Sequence, residues 1–133
     1  MWRSKKQDVR VVRDYIAALN ARDLDAVSRL VGADCTFIDS RGGSVRGHDH
    51  CIEASRRFFA LDIDYELRVE TIVAHPPDVL ITGQMRSNET GLARDRLWRA
   101  RAEGANLVEW QSFSEGRGLG VARLLMPRIA SEV

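Results

Sequence analysis

A tyrosine at position 15 and an aspartate at position 39 are the side chains of this chain best suited to acid–base chemistry. A carboxylate in apolar surroundings holds its proton more tightly than one in water, and a nearby phenol can donate a hydrogen bond to a developing oxyanion. Tyr15 lies beside an apolar stripe and Asp39 ends a strand-like run, so both can face one pocket. Each also has a plainer role: the Tyr15 hydroxyl can bond to backbone, and Asp39 can cap the Arg41-Gly42 turn. His48-Asp49-His50 resembles a metal fragment, but spacing places no third ligand and the tripeptide falls at a helix start, so it reads as capping and solvent-facing polarity. No metal or other cofactor is expected. Phe37, Phe58, Phe59, Met85, Trp98 and Trp110 read as core residues from which a ligand pocket is lined. Arg96, with Arg94, can reach the mouth of that pocket, although sheet arginines are exposed by default.

The elements that must position these residues are legible from periodicity. Val9, Val12, Ile16 and Leu19 recur at helical spacing over about Lys5 to Asn20. Asp23 offers an N-cap for a short second helix carrying Leu24, Val27 and Leu30, which Gly32 ends. Cys35, Phe37 and Asp39 then alternate with Thr36 and Ile38 as a strand, Arg41-Gly42-Gly43-Ser44 reads as a turn, and a third helix after Gly47 carries Cys51, Ala54, Phe58 and Phe59. Four longer strands are predicted near 65–74, 79–88, 92–102 and 107–114, with turns at Pro76-Pro77-Asp78 and Glu103-Gly104-Ala105-Asn106. Pairing Glu103 with Leu107 puts Trp98, Ala100, Ala102, Val108 and Trp110 on one face and Leu97, Arg99, Arg101, Glu109 and Gln111 on the other, which separates apolar from charged residues best.

Three helices with one early strand, followed by a run of antiparallel strands, give an α+β fold. The helices pack on a curved, mainly antiparallel sheet and enclose a cone-shaped cavity, with a C-terminal tail beyond it. The 133 residues form a single domain. Lys and Arg total 20 against 19 for Asp and Glu, so no net field draws the chain to nucleic acid or anionic lipid. No apolar run approaches the roughly 18 residues of a membrane span. The polar N-terminus and two cysteines in apolar surroundings, Cys35 and Cys51, read as a cytoplasmic protein with reduced thiols.

Tyr15 through Ala26, Thr36-Phe37-Ile38-Asp39, Gly43 to Gly47 and Leu107-Val108-Glu109-Trp110 together resemble the nuclear-transport-factor-2-like superfamily, in its SnoaL-like and ketosteroid-isomerase-like bacterial branch. The resemblance covers about residues 8–114, leaving 117–133 as an extension whose apolar stripe should dock on the body or on a partner. It implies that Tyr15 polarises a carbonyl oxygen and Asp39 shuttles a proton. It also implies a homodimer through the outer sheet face, where Leu97, Leu107 and Phe113 are expected. The second acid that isomerases carry on the penultimate strand matches Leu97 or Trp98 here, and Asp95 lies further up that strand. The Asp-Arg-Asp arrangement of limonene epoxide hydrolases finds Arg86 with Asn88 but no third carboxylate. The expected function is a cofactor-free isomerase, cyclase or lyase acting on a small apolar or carbonyl-containing molecule. Its alternative is a non-catalytic binding or dimerising protein.

Overall fold

The computed structural model describes residues 4–61, 64–88, 95–114 and 131–132. Helix α1 (Lys5–Ala21) starts where the Ser4 hydroxyl accepts the Gln7 N–H, and it buries Val11, Val12, Tyr15, Ile16, Ala18 and Leu19. It ends at Arg22 in the left-handed region (φ 53°), with Asp23 N–H donating to the Ala18 carbonyl. That reversal leads directly into α2 (Leu24–Leu30), capped by the Asp23 carboxylate on Ala26 N–H at 3.1 Å. The end of α2 differs from expectation. The helix stops at Leu30, and strand β1 (Val31–Ile38) runs straight through Gly32. The glycine serves strand packing instead of helix termination: a Cβ there would lie 3.3 Å from the Leu107 carbonyl of the neighbouring strand.

After a turn at residues 40–42, β2 (Gly43–Arg46) folds back on β1 and pairs Phe37 with Val45. Helix α3 (His48–Phe59) follows, then β3 (Tyr65–His75), β4 (Asp78–Ser87), β5 (Asp95–Glu103) and β6 (Asn106–Ser114). A two-residue strand β7 (Ser131–Glu132) pairs with β2, so the far end of the C-terminal extension docks on the body of the chain; the rest of its apolar stripe lies outside the described residues. The sheet order is β3-β4-β5-β6-β1-β2-β7. All neighbouring pairs are antiparallel except β1 with β6. The three helices pack on this curved, unclosed sheet, and the core between them joins Val12, Val27, Cys35, Ile81, Trp98, Ala100 and Leu107. The Asn20 side chain fastens α1 to β3: its amide donates to the Leu67 carbonyl (3.0 Å) and its oxygen accepts the Leu67 N–H (2.8 Å). Those are backbone groups that an outermost strand would otherwise leave unpaired.

In the β5–β6 hairpin the expected register holds from Leu97 to Arg101, which pair with Phe113 to Glu109, but it shifts near the turn. Ala102 pairs with Leu107 and Glu103 with Asn106, so Val108 is an extra residue on β6. The inward side chain there is consequently Leu107, fully buried, not the predicted Val108. Leu107 therefore leaves the outer apolar face, whereas Leu97 and Phe113 remain on it at 39% and 38% exposure.

A further irregularity lies between Val69 and Thr71 of β3, opposite Gly83 of β4. A Cβ on Gly83 would sit 2.0 Å from the Arg68 carbonyl oxygen. Backbone cannot yield as a side chain can, so Gly83→Ala is expected to destabilise the protein by about 2 kcal/mol. Chemical denaturation measures this; a midpoint equal to wild type contradicts the close approach.

Candidate functional site

Between the helices and the concave side of the sheet lies a cavity of about 100 Å³. Tyr15 and Leu19 from α1, Phe37 and Ile38 from β1, Ala54, Ser55 and Phe58 from α3, and Met85, Trp98 and Trp110 from the sheet form its walls. Tyr65, Asp39, Asp95 and Ser112 also line it. The Tyr15 ring is 4.8 Å from Trp110 and 6.0 Å from Phe37, and Trp98 stacks on Trp110 at 6.4 Å. These contacts hold the rings at the offset and tilted geometries that aromatic quadrupoles favour.

Tyr15 and Asp39 thus reach the same cavity, with Phe37, Phe58, Met85, Trp98 and Trp110 around them. Phe59 and Arg96 do not line it. Phe59 follows Phe58 on α3, a hundred degrees round the helix, and packs half-buried against the outside of the core. Arg96 is turned outward by the strand itself. Asp95 pairs with Ser114 while Leu97 pairs with Phe113, so Arg96 is an extra residue on β5 and points to solvent. It borders a larger, polar depression of about 710 Å³ outside the cavity, together with Arg22, Arg68 and Arg86. Tyr65, Met85 and Asp95 are common to both walls. Arg94 lies outside the described residues.

The same bulge supplies the residue that sequence reasoning set aside. Strict alternation from Trp98 would send Asp95 outward with Leu97; the extra residue rotates it into the cavity, where only 4% of it is exposed. Burial raises its carboxyl to about 6, against hydrogen bonds from the Ser112 and Ser40 hydroxyls that favour the ionised form, and the neighbouring Asp39 carboxylate raises it further. Its Oδ1 has no hydrogen-bond partner among the described residues.

Asp39, 6% exposed, follows the last residue of β1. Its Oδ1 accepts the N–H groups of Arg41 (2.8 Å) and Gly43 (3.0 Å), while its own N–H donates to the Gly43 carbonyl. The Asx-type turn cap and the cavity position therefore coexist in one side chain. Burial pushes the Tyr15 hydroxyl well above the usual phenol range, and the nearby Tyr65, Cys35 and Cys51 push it further, so the phenol is held neutral. Tyr65 is raised too, by burial first and by Asp95 second, with Arg22 opposing. Behind Ser55 the two cysteines are free, and the Cys51 thiol donates to the Cys35 carbonyl at 3.3 Å. His48 stands apart from the cavity: its Nε2 lies 2.9 Å from the Ser28 carbonyl oxygen, tying α3 to α2. His50 Nδ1 lies 3.1 Å from the Arg46 carbonyl oxygen, and among the described residues no group of three metal-ligating side chains gathers.

The SnoaL-like domain model matches residues 12–117. The chain belongs to the SnoaL-like domain family. Members of this fold family are often isomerases, cyclases or epoxide hydrolases. Among solved structures, the SnoaL-like chain is similar to a Mycobacterium tuberculosis protein named as an LEH-like epoxide hydrolase (17% identity, 96% of each chain, TM-score 0.74). It is also similar to a ketosteroid isomerase-like protein from Catenulispora acidiphila in complex with trimethylamine (17% identity, 88% of this chain and 92% of that one, TM-score 0.67). A Burkholderia xenovorans NTF2-like protein is similar as well (18% identity, 96% and 98%, TM-score 0.67). Curated protein sequences contain no match. At these identities the likeness is one of fold. No helix among the described residues is long and apolar enough to cross a membrane.

Proposed function

We propose that this SnoaL-like protein is a cofactor-free acid–base enzyme of the isomerase, cyclase or lyase kind, acting on a small apolar carbonyl compound. The observation that carries this reading is the meeting of a buried carboxylate, Asp39, and a neutral buried phenol, Tyr15, on one aromatic-walled cavity. Asp39 takes the proton from the carbon beside the carbonyl and returns it elsewhere, while Tyr15 donates to the oxygen on which charge develops. The size of the cavity limits the buried part of the substrate. A cavity of roughly 150 Å³ can take benzene, so about 100 Å³ suits six heavy atoms or fewer. A larger substrate would leave its remainder in the outer depression past Tyr65 and Met85. The direct test is exchange of the α-protons of acetone, butanone and cyclopentanone in D2O, followed by proton NMR, because it needs no knowledge of the product. Exchange well above buffer and protein-free controls supports the enzyme; none with any ketone defeats it.

A second reading rests on the Asp39 turn cap, which alone accounts for the residue without chemistry. In it the protein holds a small molecule, as the Catenulispora relative holds trimethylamine. A cytoplasmic setting suits the two free buried thiols.

Dimerisation through the outer face of the sheet completes the proposal. Leu97 and Phe113 pair across β5 and β6 there, with Leu80 and Val73 also exposed. Beside them Arg99 and Arg101 converge on Asp78, at 3.1 and 2.7 Å. The double variant Leu97→Asp with Phe113→Asp is expected to convert a dimer to a folded monomer, read by light scattering coupled to gel filtration. A wild type already monomeric, or a variant still dimeric, removes this face from consideration.

A further inference from the structure

The electrostatic sign of the cavity points beyond the carbonyl reading. Its described lining contains six aromatic rings and two carboxylates, Asp39 and Asp95, but no lysine, arginine or histidine. Asp39 is satisfied at Oδ1 by two backbone N–H groups. Asp95 is 96% buried by its 4% exposure, and among the described residues its Oδ1 has no partner. Leaving a buried carboxylate oxygen unpaired is costly, and native structures seldom tolerate it without purpose. The group such an oxygen lacks is a donor, and beside a second carboxylate a positively charged donor is favoured most. Aromatic faces attract the same charge through their quadrupoles, an effect that grows as water is excluded.

We propose that this cavity is a receptor site for a small alkylammonium ion, with its N–H groups on Asp95 Oδ1 and its alkyl groups among Tyr15, Phe58, Trp98 and Trp110. The volume of about 100 Å³ suits an ion of four to six heavy atoms and leaves no room for a hydrated one. The site shares its cavity with the acid–base proposal above but none of its chemistry, and it stands if Asp39 moves no proton.

The groups facing Asp95 set the pH dependence: Asp39 and Ser40 after β1, Ser112 on β6, Tyr65 on β3, and Arg22 beyond Tyr65 at the outer depression. The tyrosine stays neutral to high pH, so the protonation of Asp95 sets how the charge changes with pH. Asp95 titrates at about 6, so it is mostly protonated at pH 5 and ionised at pH 8.

Calorimetric titration of the full chain with tert-butylammonium and with tert-butanol tests the assignment, because the two share a skeleton and differ in charge. At pH 8 the ammonium is expected to bind at least tenfold tighter than the alcohol, with NMR shifts at the Trp98 and Trp110 indoles. At pH 5 its affinity should fall roughly tenfold as Asp95 protonates, while that of the alcohol stays constant. Asp95→Asn should erase the pH dependence and leave the alcohol unaffected. Equal or tighter binding of the alcohol at pH 8, ammonium affinity indifferent to pH, or binding of neither probe overturns the site. The wild-type pH comparison decides alone should Asp95→Asn fail to fold. The ketone exchange assay is read without amine, so its failure and the failure of this site are distinguishable.

Discussion

Asp39→Asn is expected to lower α-proton exchange of cyclopentanone about a hundredfold or more while leaving the fold intact. General bases contribute on that scale, and an amide has no basicity to replace a carboxylate. Most substitutions at a buried turn cap would confuse loss of chemistry with loss of structure. Asparagine avoids this, because its side-chain oxygen can still accept the Arg41 and Gly43 N–H groups that Asp39 Oδ1 now accepts. Thermal unfolding of the variant is therefore expected within a few degrees of wild type. Exchange unchanged in a folded Asp39→Asn protein would leave Asp39 only its turn. Tyr15→Phe provides a milder companion, since it removes one donor from a site whose other walls are rings.

The second large effect concerns stability and pH. In the folded protein Asp95 holds its proton to about 6, whereas an aspartate in the unfolded chain releases it near ~3.9. Ionisation of Asp95 is therefore a cost borne by the native state. Its contribution is most favourable below about pH 4, declines as pH rises through about 6, and is level above that. A shift of about two units corresponds to roughly 3 kcal/mol at ~1.36 kcal/mol per unit. The measurement is the difference in unfolding free energy between wild type and Asp95→Asn from pH 4 to 8, which cancels every other titrating group. Wild type should lose about 2.4 kcal/mol relative to the variant across that range, the remainder falling below pH 4 where the unfolded aspartate titrates. Parallel curves would mean that Asp95 is ordinary and the cavity is not the low-dielectric place described. Retaining such a residue is the kind of stability sacrifice that proteins make at sites of function.

Much of the architecture was legible because it is written in short-range periodicity. The stripe of Val12, Ile16 and Leu19, the Asp23 cap and the alternation of Trp98, Ala100 and Ala102 each report one element without reference to any other. Phe37 and Asp39 could be assigned to one face for the same reason. Gly32 was misread because a glycine after a helical stripe looks the same whether it ends the helix or lets another strand approach.

By itself, then, the sequence determined the helices, the long strands and the inward faces of the aromatic residues, since these follow from residue periods of 3.6 and 2, whereas the pairing of Tyr15 with Asp39 was implied by the family resemblance. Only the tertiary structure decided that Asp95 turns in and Arg96 out, and that Leu107 replaces Val108 inside. Each depends on one unpaired residue, at Arg96 or at Val108. A bulge exists only as a mismatch between two strands, and neither strand alone records it.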